Sequence, residues 1–113
     1  MGKFIYKICN FSEWHNAQTT GEFKGTKKDL LDGFIHFSNR SQIKSTLGKY
    51  YFNKDKLVLL KVITYKLNNL VWEKSSQDEL FPHLYSKLNL NDVQKIYKIV
   101  LNKDGSHTLP SNL

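Results

Sequence analysis

A period of two in the apolar residues marks the first strand. Over residues 3–9 (KFIYKIC), Phe4, Tyr6 and Ile8 share one face. Asn10 follows as a helix cap, with Glu13 as its capping-box partner, and Phe11, Trp14 and Ala17 fall along one helical stripe. Trp14 reads as a core anchor. Residues 20–25 (TGEFKG) form a loop or short extended piece held by two glycines. Thr26 with Asp29 starts a second helix, and Asp32 with Gly33 makes a turn. Residues 34–38 (FIHFS) are a short strand that sends Phe34, His36 and Ser38 one way and Ile35 and Phe37 the other. Asn39 or Ser38 then caps a helix that runs to about Tyr51, with Ile43, Leu47 and Tyr50 or Tyr51 as its stripe.

The second half is richer in strands. Residues 57–63 (LVLLKVI) are apolar on both faces apart from Lys61, as a central, covered strand is. Asn68 and Asn69 turn the chain into a short strand over 70–73 (LVWE), and 75–79 is a polar loop. Residues 81–85 (FPHLY) begin extended, because Pro82 disfavours helix at the residue before it. A long strand over 92–101, a hairpin turn over 102–105 and a return strand over 106–109 close the chain, and Pro110 ends the last strand. Strands and helices do not alternate strictly, so the pattern predicts an α+β fold with two or three short helices.

Composition narrows the class. With 113 residues, 40% hydrophobic and 13% aromatic, the chain reads as one compact domain able to bury a core. The lone Cys9 lies in an apolar run and reads as a buried small hydrophobe. No apolar stretch of signal-peptide or membrane-span length is present, which predicts a cytoplasmic protein with no membrane partner. The net charge of +7 admits a nucleic-acid partner, but it is spread over scattered lysines with Arg40 the only arginine.

Candidate chemistry gathers at three places. His36 and Ser38 sit two residues apart on one strand face, about 6.5–7 Å apart along it. An imidazole and a hydroxyl there suit the hydroxyls of a sugar or the edge of a base; the bland alternatives are a half-buried histidine and a helix cap. Glu73 beside Trp72 places a carboxylate in an apolar setting. Desolvation would raise its pKa toward general acid–base work; the alternative is an exposed strand end. His83 and Tyr85 share a face if 81–85 is extended, and offer a proton switch and a stacking surface, or else a packed aromatic corner. The four histidines (His15, His36, His83, His107) lack standard metal-ligand spacing, so no metal is expected.

These residues carry a family resemblance. Residues 5–8 (IYKI), Trp14, Gly21 and Gly25, 32–38 (DGFIHFS), Trp72 with Glu73, 81–85 (FPHLY), Gly105 and Pro110 resemble, in order, the small bacterial family catalogued as domain of unknown function 952. Two departures show: Phe23 stands where Tyr is usual, and Ser86 with Lys87 where Gly–Pro is usual. The resemblance implies a compact, split and mostly antiparallel sheet. It is similar at a distance to the ADP-ribosyltransferase superfamily, which includes the RNA 2′-phosphotransferases. That likeness assigns His36 to the nicotinamide-side ribose of NAD, Ser38 to its support and Glu73 to orienting the ribose during transfer; His83 stands beside them as a catalytic candidate on its own chemistry, as a proton switch. Trp72 and Tyr85 join Ser38 as substrate-binding residues. The expected function is a transferase using NAD or another nucleotide. The alternatives are a non-catalytic module for a small molecule or a protein and, last, a weak nucleic-acid binder.

Overall fold

A computed structural model describes residues 3–75 and 77–113. Ser76, inside the polar loop expected over 75–79, lies outside the described residues, as do Met1 and Gly2 at the start of the N-terminal stretch.

The chain runs β1 (Phe4–Asn10), α1 (Phe11–Thr20), β2 (Glu22–Phe23), α2 (Lys27–Asp32), β3 (Ile35–His36), α3 (Ile43–Tyr50), β4 (Leu57–Ile63), β5 (Leu70–Lys74), β6 (Leu80–Leu84), β7 (Leu88–Asn89), β8 (Val93–Leu101) and β9 (His107–Thr108). These strands form a four-stranded sheet ordered β1-β4-β8-β9, a three-stranded sheet ordered β3-β6-β5 and the small pair β2-β7. Every pairing is antiparallel. The fold is therefore α+β with a split antiparallel sheet. Among the described residues, no helix is long and apolar enough to cross a membrane.

β4 is the covered central strand its sequence predicts. One face of the four-stranded sheet packs Leu57, Leu59, Tyr6, Ile8, Tyr97 and Ile99 against Ile43 and Leu47 of α3. The other packs Ile5, Cys9, Val58, Leu60 and Val62 against Trp14 and Ala17 of α1, Ile35 and Leu84 of the three-stranded sheet, and Phe37 just beyond β3. Cys9 is fully buried, and burial pushes its thiol pKa up to about 12. Phe11 stays partly exposed and does not share the burial of Trp14.

The expected capping box forms at the start of α1, and the helix start expected at Thr26 and Asp29 is a capping box too. The Asn10 side chain accepts from the Glu13 amide while Glu13 accepts from the Asn10 amide, and Thr26 and Asp29 do the same. The third helix differs at its start. Asn39, not Ser38, is the cap, and a 3₁₀ turn over Arg40–Gln42 precedes α3.

β3 is shorter than expected, and Pro82 supplies the reason. Pro82 lies in β6, the middle strand of its sheet. Phe37 donates its amide to the Pro82 carbonyl at 2.9 Å. The return bond of that antiparallel pair needs an N–H that proline lacks. The chain leaves β6 there, and Ser38 instead exchanges both backbone bonds with Tyr6 of β1, at 2.8 and 2.9 Å. Residues 37 and 38 thus join the two sheets.

Candidate functional site

One face of the three-stranded sheet collects most of the predicted residues. His36 lies opposite His83, and Val71 opposite His83 on the other side. By alternation this face carries Phe34, His36, Glu73, His83 and Tyr85. Phe34 is the hub: its ring centroid lies 4.2 Å from that of His83, 4.5 Å from that of His36 and 5.2 Å from that of Tyr85. The two histidine rings are 5.4 Å apart.

The same alternation removes Trp72 from the site. Neighbours on a strand point to opposite faces, so Glu73 on the histidine face puts Trp72 on the core face. There it packs, half-buried, against the first core cluster. The expectation of Trp72 as a substrate-binding surface is therefore corrected.

The expected rise in the Glu73 pKa is corrected too, for the same reason. No indole desolvates the carboxylate, which is 39% exposed. Its Oε1 accepts from the Tyr85 hydroxyl at 2.6 Å and from His83 Nδ1 at 2.8 Å. The Tyr85 bond first, and the His83 bond second, hold Glu73 below the usual carboxylate range, and the Tyr85 hydroxyl is pushed up in return. An ionised carboxylate only accepts, so His83 carries its hydrogen on Nδ1 and leaves Nε2 for other partners.

His36 is held by a second group of residues, to which sequence alone gave no role in the site. Its Nδ1 lies 2.6 Å from Asp29 Oδ1 and its Nε2 lies 3.1 Å from Asp32 Oδ2. Asp29 is buried and accepts four bonds: His36 Nδ1 and the His36 amide on Oδ1, and the Thr26 amide and Lys7 Nζ on Oδ2. The Lys7 contact is 2.7 Å, between side chains 5% and 1% exposed. Burial alone would raise the Asp29 pKa. The His36 bond and the Lys7 ammonium outweigh it and hold the carboxyl far below its ordinary range. The α2 capping box aims Asp29, and Gly25 makes room for it. At φ +117°, a β-carbon on Gly25 would sit 2.7 Å from Asp29 Cβ.

His36, Ser38 and His83 line one cleft of about 240 Å³, together with Lys7 and Asp29. Ser38 is buried, and its Oγ lies 3.1 Å from Thr46 Oγ1 on α3. Glu73, Tyr85 and Trp72 are not in the cleft lining. Glu73 and Tyr85 support His83 from outside. One signal for Lys7 was present in the sequence: alternation places a lysine between Ile5 and Cys9 on a core face, where a charge needs a buried partner.

Two antiparallel sheets bridged through Ser38 and Tyr6, with His36 opposite His83 beside the bridge, define the class of domain. Residues 8–96 match the family described as Protein of unknown function (DUF952), and the chain belongs to that family. It is similar to protein CC0527 from Caulobacter crescentus. The crystal structure of CC0527 is 39% identical over 94% of each chain, with a TM-score of 0.90. Its solution NMR structure is 38% identical and covers 99% of this chain and 97% of that one, with a TM-score of 0.86. No curated protein matches the chain.

Proposed function

We propose that the protein is a transferase using NAD or a related nucleotide, built on a split-sheet domain of the ADP-ribosyltransferase type that spans the whole chain. The observation that carries this reading is the convergence of His36, Ser38 and His83 on one cleft between the two sheets. A ribose there meets the hydroxyl of Ser38 and the two neighbouring imidazoles of His36 and His83. His36 grips the ligand once the exposed Asp32 releases its Nε2. His83, with Nδ1 tied to Glu73, offers Nε2 for proton transfer. Glu73 acts through His83 as a positioning residue and not on the ribose. A single buried thiol suits a cytoplasmic setting.

Amide NMR during NAD titration tests the reading. The signals of His36, Ser38 and His83 should shift and saturate. No movement of any of them at millimolar NAD refutes it. A second reading, a binding module without turnover, draws support from the saturated contacts of Asp29, which suit a rigid scaffold. Nicotinamide released by the wild type and lost in His83→Ala decides for the transferase. Saturable NAD binding with no released nicotinamide decides for the module.

A further inference from the structure

Lys7 is placed for more than its ion pair. An ammonium has three N–H donors. One goes to Asp29 at 2.7 Å and one to the His36 carbonyl at 2.9 Å. Among the described residues the third has no acceptor, although the side chain is 95% buried and lines the cleft. Ser38 and Thr46 repeat the pattern. Two hydroxyls share one hydrogen bond, so one O–H is left to donate, and both residues line the cleft.

The rim is cationic. Lys28 and Lys49 both line the cleft, with Nζ atoms 5.5 and 5.3 Å from the centroid of the Tyr50 ring. Lys28 is paired with Asp32 at 3.0 Å, whereas Lys49 has no ion pair among the described residues. Asp29 is the one carboxylate among the described lining residues, and Lys7 neutralises it. Unused donors at the floor and surplus positive charge at the rim select an anion with several acceptor oxygens. The volume limits its size. About 240 Å³ is below the roughly 300–1,000 Å³ of pockets that enclose drug-sized ligands. A cleft of that volume has room for one end of a nucleotide and not for the whole.

We propose that the enclosed end is a phosphorylated ribose, with the phosphate on the third N–H of Lys7 at the floor and on Lys49 and Lys28 at the rim. This rests on the nucleotide reading and adds a part that reading does not need: a phosphate subsite separate from the His36–His83 pair.

Calorimetric titration of the full chain with AMP, adenosine, inorganic phosphate and NAD tests it. AMP should bind at least about tenfold more tightly than adenosine, as one charge-assisted contact requires. Its affinity should fall as salt rises. Inorganic phosphate should compete with AMP. Lys49→Ala, an exposed change that keeps the fold, should weaken AMP about three- to tenfold and leave adenosine unchanged. Lys7→Met should remove AMP binding. Because it orphans Asp29, its folding is checked by circular dichroism, and Lys49→Ala is the deciding variant. Equal affinities for AMP and adenosine, or an unchanged AMP affinity in Lys49→Ala, overturn the subsite. NAD binding that ignores Lys49→Ala overturns the subsite and leaves the nucleotide reading standing. AMP and phosphate binding that responds to Lys49→Ala without any NAD binding supports the subsite and overturns the NAD reading.

Discussion

Replacing Asp29 by asparagine changes almost no volume, yet it should be among the most damaging substitutions in the chain. Each carboxylate oxygen accepts two bonds, so whichever way the amide is turned its NH₂ meets two donors. The change also leaves the Lys7 charge buried without its counter-charge. Removing one partner of a buried ion pair costs about 3–5 kcal/mol, out of the ~5–15 kcal/mol that holds a domain together. At roughly 4 °C per kcal/mol, the melting temperature should drop by about 12–20 °C. Urea unfolding followed by the fluorescence of Trp14 and Trp72 measures the loss directly. If the orphaned charge is the cause, Lys7→Met with Asp29→Asn should cost less than the sum of the two single changes by at least ~1 kcal/mol. The pH dependence follows from the lowered pKa of Asp29. Its folded value lies below the unfolded ~3.9, so its stabilising effect is complete above that value and is lost as pH falls toward the folded one. The stability gap between wild type and Asp29→Asn should therefore stay constant from about pH 7 to 5 and shrink below about pH 4. A cost below ~1 kcal/mol, or a gap that persists unchanged at low pH, would refute the orphaned charge as the cause.

Two further outcomes are expected. Gly25 and Gly33 flank α2 and both have positive φ, +117° and +85°, but only at Gly25 does an added β-carbon meet a neighbour. Gly25→Ala should cost at least ~1 kcal/mol more than Gly33→Ala in urea unfolding and should shift the His36 ring signals in NMR spectra, which Gly33→Ala leaves in place. Glu73→Gln removes the carboxylate that pushes the Tyr85 hydroxyl up, so Tyr85 should titrate at lower pH in the variant. The ultraviolet absorbance of tyrosinate reads this, and identical curves for the two proteins would exclude the contact.

Local signals were legible in the chain wherever a short segment settles its own structure. The capping box at Asn10 and Glu13, the helix start at Thr26 and Asp29, the apolar run of β4 and the turn at Asp32 and Gly33 each need only neighbouring residues, and each formed. The β2-β7 pair joins two residues to two others across most of the chain, and no local pattern announces it. Within the site, alternation correctly set His36 with Phe34 and His83 with Tyr85. Applied one strand further, it would also have shown that Trp72 and Glu73 face opposite ways. Asp29 was readable as a cap, and that sufficient local role concealed its bonds to Lys7 and His36, which depend on how β1, α2 and β3 meet. Pro82 was a sound signal for extended chain at Phe81. Its seat in a middle strand goes against the usual confinement of proline to sheet edges.

That seat has a consequence for how the cleft arises. A gap between two sheets is commonly pictured as held open by the side chains that line it. Here the backbone contributes as well: beside the His36–His83 pair, the Phe37–Pro82 rung lacks its return hydrogen bond, because proline has no N–H. At that rung Phe37 keeps its one bond to Pro82, and past it Ser38 takes its partner, Tyr6, on β1. The strand path beside the cleft is thus written into the main chain, while the cleft's selectivity is written into Lys7, His36, Ser38 and His83. The lining can be re-cut for another ligand while the strand path at Pro82, Phe37 and Ser38 stays the same.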